Sequence, residues 1–198
     1  MNSKPSYEEL EKKIKKLEKE NKLLSSLSIT DHLTSLHNRR YFQNIIEDKV
    51  KQLSRYKYGF YFALIDIDFF KEYNDCYSHH KGDIALQKIS ITLKETLNRK
   101  TDYIFRVGGE EFGILFEVDD NESANSIMEN LRKKVEDLKI VSCNSLVCNY
   151  VTISIGLGYI KEAKPKTNAY LIYDEVDKLL YESKNNGRNQ ITFKEIIV

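Results

Sequence analysis

Residues 58–68 read YGFYFALIDID, an apolar run that ends abruptly on two acids, Asp66 and Asp68. Its length and its aromatic and β-branched content predict a strand. Side chains two positions apart on a strand leave the same face, so Asp66 and Asp68 point the same way. Acids that close an apolar strand are costly unless they reach water, hydrogen-bond donors or a metal. Two readings stand at this point. One is a strand end facing solvent; the other is a carboxylate pair for a hard divalent cation such as Mg2+, which takes oxygen ligands. Phe69, Phe70 and Lys71 follow at the start of a short helix expected over residues 69–77. Free main-chain N–H groups there, beside the Lys71 charge, suit a phosphate.

Working outward, periodicity predicts helices over residues 82–98, 122–138 and 169–185. Strands are expected over 103–107, 112–118, 149–160 and 190–196. The first two are joined at Gly108-Gly109, a two-residue hairpin in which glycine supplies positive φ. Upstream, Tyr41, Phe42, Ile45, Ile46, Val50 and Leu53 make an amphipathic helix over 39–55, and Thr30 or Asp31 offers a cap before it. Residues 141–148 read either as loop or as an extra edge strand. The order describes one α+β domain, a mostly antiparallel sheet flanked by helices and related to the ferredoxin-like βαββαβ pattern.

Residues 31–198 are assigned to this domain and 1–30 to an N-terminal helix. In that helix Leu10, Ile14, Leu17, Asn21, Leu24 and Ser28 follow 4-3-4-3-4 spacing. The seam fits either a helix lying on the domain or a short parallel coiled coil joining two chains.

Composition narrows the class. The 198 residues suffice for one sizeable core with an appendage. Thirty-one basic and 30 acidic residues leave a net charge of +1, so no smooth positive surface for long nucleic acid is implied, only room for a local anion pocket. The first 24 residues are charged throughout and lack the apolar core of an export signal. The run near residues 59–65 is too short to cross a bilayer. Cys76, Cys143 and Cys148 outline neither a disulfide framework nor a zinc set, and free thiols in a cytoplasmic chain are expected.

A second acidic pair lies in RVGGEEFGILF, residues 106–116. Glu110 and Glu111 are expected at the start of the returning strand, facing opposite ways. A Gly-Gly hairpin followed by two glutamates is an ordinary surface turn unless it lies beside the Asp66 strand, where one glutamate would join Asp66 around a cation. Lys184 and Arg188 are four apart. They sit either on one helix face, where they clamp a phosphate chain, or with Arg188 on a loop past the helix end after Gly187.

Together these segments resemble the diguanylate cyclase family of GGDEF domains, in its active GGEEF form. The resemblance runs in order through DHLTSLHNRRYF (31–42), LIDIDFFKEYNDCYSHHKGD (64–83), GGEEF (108–112), VTISIGLG (151–158) and YESKNNGRN (181–189). It implies condensation of two GTP into cyclic di-GMP with release of pyrophosphate, supported by Mg2+ or Mn2+. It also implies a homodimer, since one domain holds one GTP. By the same resemblance Asp66, the Ile67 carbonyl and Glu110 hold the metal, Glu111 is a further carboxylate, and Glu110 takes the proton of the attacking hydroxyl. Asn74 and Asp83 match guanine-reading positions and His79 a substrate contact. Phe69, Phe70 and Lys71 match the phosphate loop, and Lys184 and Arg188 the pair that meets the terminal phosphates.

Arg99 and Asp102 match an RxxD product-inhibition site, to which Arg106 either adds or simply packs beside the hairpin. Ser78 departs from a common glycine, and the retained Asp83 favours guanine. A silent cyclic di-GMP-binding module and another GTP-using cyclase are the rival readings. The input is expected from an upstream sensory module or a partner protein.

Overall fold

A computed structural model describes residues 7–27, 29–56, 58–143, 149–162, 164 and 167–198. The elements begin with α1 (Tyr7–Leu27), β1 (His37–Asn38), α2 (Arg39–Tyr56), β2 (Phe60–Ile67), α3 (Phe70–Tyr77) and α4 (His79–Thr96). They continue with β3 (Tyr103–Arg106), β4 (Glu111–Phe116), α5 (Asn121–Glu136), β5 (Ile153–Glu162), α6 (Ala169–Asn185) and β6 (Ile191–Ile197).

The 58–68 run became the central strand because both of its faces are covered. All eight residues of β2 are buried. Tyr61, Ala63, Ile65 and Ile67 join a core with α3, α4 and α5, while Phe60, Phe62 and Leu64 join a second core with α2 and α6. A strand buried on both sides needs apolar residues at every position, which is why the sequence shows a run rather than an alternation. By that alternation Asp66 inherits the α2–α6 side.

The sheet order is β1-β3-β4-β2-β5-β6. β2 runs antiparallel to β4 and β5, and β3 antiparallel to β4, whereas the edge pairs β1·β3 and β5·β6 are parallel. The four inner strands and the helices that cross between them form the expected α+β ferredoxin-like unit, widened by one short strand on each edge.

Gly156 on β5 sets how closely α6 approaches. A Cβ there would lie 2.6 Å from the Val176 carbonyl oxygen and 2.9 Å from the Leu180 Cα. Ser183 fastens the same contact by donating from Oγ to the Ile155 carbonyl at 2.8 Å. The next residue of α6 is Lys184.

Several local expectations are corrected. The two residues of β1 are too few to leave a periodic signal. Asn38, not Thr30 or Asp31, caps α2, its Oδ1 accepting the Tyr41 N–H at 3.0 Å. Asp31 instead closes a turn by accepting from the Thr34 N–H at 2.9 Å. Helix α4 begins at His79 rather than at residue 82, because Ser78 reverses the chain directly out of α3. Neither Gly108 nor Gly109 has positive φ. The Val107 N–H reaches the Glu111 carbonyl at 3.0 Å, so Gly108, Gly109 and Glu110 form the loop and only Glu111 starts β4.

Cys76 and Cys143 form a disulfide rather than two free thiols, with Cα atoms 6.7 Å apart. They are 67 residues apart in sequence, and only the packing of α3 beside the α5–β5 connection brings them together. Cys148, with the rest of 144–148, lies outside the described residues; of the suggested edge strand, one isolated bridge joins Val141 to Tyr150.

On α1, Leu10, Ile14, Leu17 and Leu24 are 44–67% exposed, so this side of the helix is not laid on the domain. The Asn21 side chain and Ser28 lie outside the described residues. Among the described residues no helix is long and apolar enough to cross a membrane.

Candidate active site

The two acids that close β2 have parted company. Asp68 is 3% exposed and its carboxylate is fully engaged. Ser154 Oγ donates to Oδ1 at 2.6 Å, while Thr152 Oγ1 and the Asn189 main-chain N–H donate to Oδ2 at 2.8 and 3.1 Å. It is a structural tie, not a free ligand. Asp66 stands in register with Glu111 on β4 and with Ser154 on β5. Its Oδ2 lies 2.8 Å from the Lys184 ammonium.

Burial raises the Asp66 pKa to about 6, Lys184 opposes that rise, and the nearby Glu110 and Glu111 charges add to it. An Asp66 with its pKa raised above the ordinary carboxylate value contributes most below pH 4, and that contribution is lost as pH climbs through about 6. Without divalent cations, the parent chain should therefore lose up to about 3 kcal/mol relative to Asp66→Asn between pH 4 and pH 7. Urea unfolding of both chains across that range measures it, and a pH-independent difference would contradict the burial argument.

Glu110 sits in the hairpin loop one residue before the strand that carries Glu111. The Glu111 carboxylate folds back on the hairpin, so a Cβ on Gly108 would come 2.5 Å from Glu111 Oε2. Asp66, paired with Lys184, thus feels the charges of two further carboxylates, Glu110 and Glu111. All three carboxylates are hard oxygen donors, the set that suits Mg2+, and a cation would offset the repulsion that disfavours Asp66 ionisation. No three His, Cys, Asp or Glu side chains among the described residues converge tightly enough to hold a metal unaided. The donor set therefore fits an ion that completes its shell with main-chain oxygen, water and phosphate.

Beside the acids, Phe69 adopts φ 54 and ψ 33 just before α3 begins. Phe70 is a core residue, whereas Lys71 is exposed. Of the two positions open to Arg188, the structure takes the loop. Arg188 lies beyond the end of α6 with φ 62, and its guanidinium stacks 4.4 Å over the Phe69 ring.

Asn74 on α3 meets Gly82 on α4 so closely that any Cβ at 82 would overlap the Asn74 amide. Asn74 Oδ1 is buried without a hydrogen-bond partner, an orphan acceptor that a donor-bearing ligand would satisfy. Asp83 adjoins Gly82, and His79 lies one helical turn earlier; both are exposed. Ser78, which makes this corner, has φ 87 and ψ 154, a region that suits glycine. Ser78→Gly is expected to raise unfolding stability by about 1 kcal/mol. Chemical denaturation tests this, and an unchanged midpoint would count against a strained corner.

On the opposite edge, Asp102 Oδ2 accepts the Arg99 N–H at 3.1 Å, while Asp102 Oδ1 is buried and unpartnered. Burial raises the Asp102 pKa. Arg106 packs beside the hairpin. It pairs with Asp31 at 3.2 Å and donates to the Gly109 carbonyl at 2.8 Å, bracing the hairpin. Sequence reasoning missed Arg132 and Asn189, which meet at 2.6 Å behind the Arg188 loop. Their only signal was the position of Asn189 within YESKNNGRN.

A family model described as diguanylate cyclase, GGDEF domain, matches residues 28–190. The Bacillus subtilis protein YhcK is 38% identical over 167 residues, 83% of this chain and 45% of that protein. Probable diguanylate cyclase DgcT of Escherichia coli is 34% identical over 181 residues, 88% of this chain and 39% of that protein. The chain thus spans less than half the length of these curated relatives. The coiled coil and GGDEF domain of DgcB from Caulobacter crescentus, solved with c-di-GMP, superposes with a TM-score of 0.73 at 22% identity, covering 92% of this chain and 94% of that one. At that identity the likeness speaks for the fold.

Proposed function

The chain belongs to the GGDEF family of diguanylate cyclases, and from that premise we propose that it is an active, Mg2+-dependent cyclase of the GGEEF type. It condenses two GTP into cyclic di-GMP and releases pyrophosphate. The observation that carries this reading is the buried Asp66, in register with Glu111 beside the hairpin and paired with Lys184.

Asp66, the Ile67 carbonyl and Glu110 would hold Mg2+, with Glu111 close by. When bound, the ion supplies positive charge to the transferring phosphate and to the departing pyrophosphate. Lys184 and Arg188 grip the terminal phosphates, and the main chain at Phe69 and Phe70, with Lys71, receives the rest of the chain. Asp83 accepts from the guanine N–H groups, Asn74 both accepts and donates along the base edge, and His79 touches the substrate. Glu110 takes the proton from the 3′-hydroxyl of one GTP. The freed oxygen bonds to the α-phosphorus of the other as pyrophosphate leaves, and a second such transfer closes the ring.

One domain offers one such site, so two chains must face each other. We assign residues 1–30 to a pairing helix and 31–198 to the cyclase domain. The exposed Leu10, Ile14, Leu17 and Leu24 are what two α1 helices would bury together. An upstream module or a partner protein would set that pairing and so the rate.

The test is incubation with GTP and Mg2+, followed by mass identification of the product. Cyclic di-GMP and pyrophosphate are expected; their absence from a dimeric sample would sink the proposal. Product binding without synthesis would instead favour a silent regulatory module, since Arg99 and the unpartnered Asp102 oxygen suit a guanine edge. Product inhibition through that pair predicts that added cyclic di-GMP slows the parent several-fold but leaves Arg99→Ala nearly unaffected. Superimposable progress curves for the two chains would remove this claim.

A further inference from the structure

We propose that Asp68 is a positioning residue that acts through Asn189 to hold Arg188 on Phe69; the inference rests on reading Arg188 as a phosphate grip. Gly187, Arg188 and Asn189 have φ of 116, 62 and 47, three successive residues in left-handed backbone. Only the glycine adopts this freely; for the other two it is a steric cost that surrounding contacts must offset. On Arg188 the main-chain N–H donates to the Ser183 carbonyl at 3.0 Å and Nη1 to the Lys184 carbonyl at 3.4 Å, which ties it back to α6; the contacts that reach outside α6 and its closing loop are the Phe69 ring and those of Asn189. The Asn189 N–H donates to Asp68 Oδ2 at 3.1 Å, and its Oδ1 accepts from Arg132 Nη1 at 2.6 Å. Arg132 is itself fixed by Glu129 and Glu136 on its own helix.

The geometry is a two-residue match. Consecutive residues 68 and 69 hold consecutive residues 189 and 188: the Asp68 carboxylate takes the main chain, and the Phe69 ring takes the guanidinium. An amide at 68 can keep its oxygen on the Asn189 N–H and donate to the Ser154 hydroxyl, which also accepts, whereas truncation to alanine removes the acceptor outright. Losing the Asp68 tie frees the strained turn to relax, and the Arg188 side chain leaves the ring with it. Asp68 thereby affects phosphate binding without touching phosphate.

The experiment uses the full chain with nitrogen-15-labelled arginine. In the parent, the Arg188 Nε–H resonance, assigned by its loss in Arg188→Ala, is expected upfield of the other arginines because of the Phe69 ring. In Asp68→Ala, and in Asp68→Ser should the first variant fail to fold, more than half of that displacement should vanish. Affinity for GTP should fall about five- to ten-fold in these variants while affinity for GMP stays within about two-fold, the range of one lost charge-assisted contact. In an Arg188→Ala background, Asp68→Ala should change GTP affinity less than about two-fold, as expected for residues acting as one unit. A retained upfield resonance, or losses that multiply in the double variant, overturns the proposal. A parent that binds GTP no more tightly than GMP defeats the phosphate-grip reading instead, and the resonance alone then decides whether Asp68 positions Arg188.

Discussion

Glu110→Gln is expected to lower cyclic di-GMP synthesis by about 10³-fold or more with little change in fold or stability. The substitution keeps the size of the side chain and removes its charge. Glu110 lies in the hairpin loop rather than in the β4 ladder, so no sheet hydrogen bond depends on its position in a strand. What is lost is both a proton acceptor for the attacking hydroxyl and one hard oxygen ligand for Mg2+. Pyrophosphate release and product mass measure the first, and far-ultraviolet circular dichroism with urea denaturation measures the second half of the expectation. Near-parental turnover in a folded variant would remove Glu110 from the mechanism, leaving Asp66 and Glu111 as the remaining acids of the site.

The largest effect on stability is expected from Gly156→Ala, far from any reacting atom. The added methyl would meet the Val176 carbonyl and the Leu180 main chain of α6, so no side-chain rotation can relieve it. Overpacking ordinarily costs about 1–3 kcal/mol, and a main-chain obstruction between a strand and a helix should exceed that, at roughly 4 kcal/mol. Relief by lifting α6 would also draw Lys184 away from Asp66, so residual folded protein should bind GTP more weakly. Urea midpoints and GTP titration check both parts. A variant as stable as the parent would mean that α6 does not approach β5 as closely as described.

Much of this was legible in the chain. The run at 58–68 marked the central strand, because burial on two faces imposes a continuous apolar pattern that few other elements share. GGEEF beside Asp66 was readable as a condition: the acids matter if the hairpin lies next to the strand, and the register Asp66–Glu111 meets it. The hairpin itself was misread, since a glycine pair suggests positive φ, whereas the loop spreads its turn over three residues with none. The two-residue β1 and the Cys76–Cys143 link were invisible, because neither depends on local pattern.

The class of fold, the order of its elements and the pool of acids and bases follow from periodicity, turn chemistry and residue type along the chain. Which of those groups stay free depends on long-range packing. Asp66 and Asp68 are chemically identical and two residues apart, yet donors from Thr152, from Ser154 on β5 and from the closing loop consume Asp68, while burial and neighbouring glutamates leave Asp66 poised. Arg106 and Arg188 were likewise equal as cations until one was spent on Asp31 and the other laid on Phe69. Residue type fixes what a group can donate or accept; the partners that claim it come from distant segments, and only folding brings them within reach.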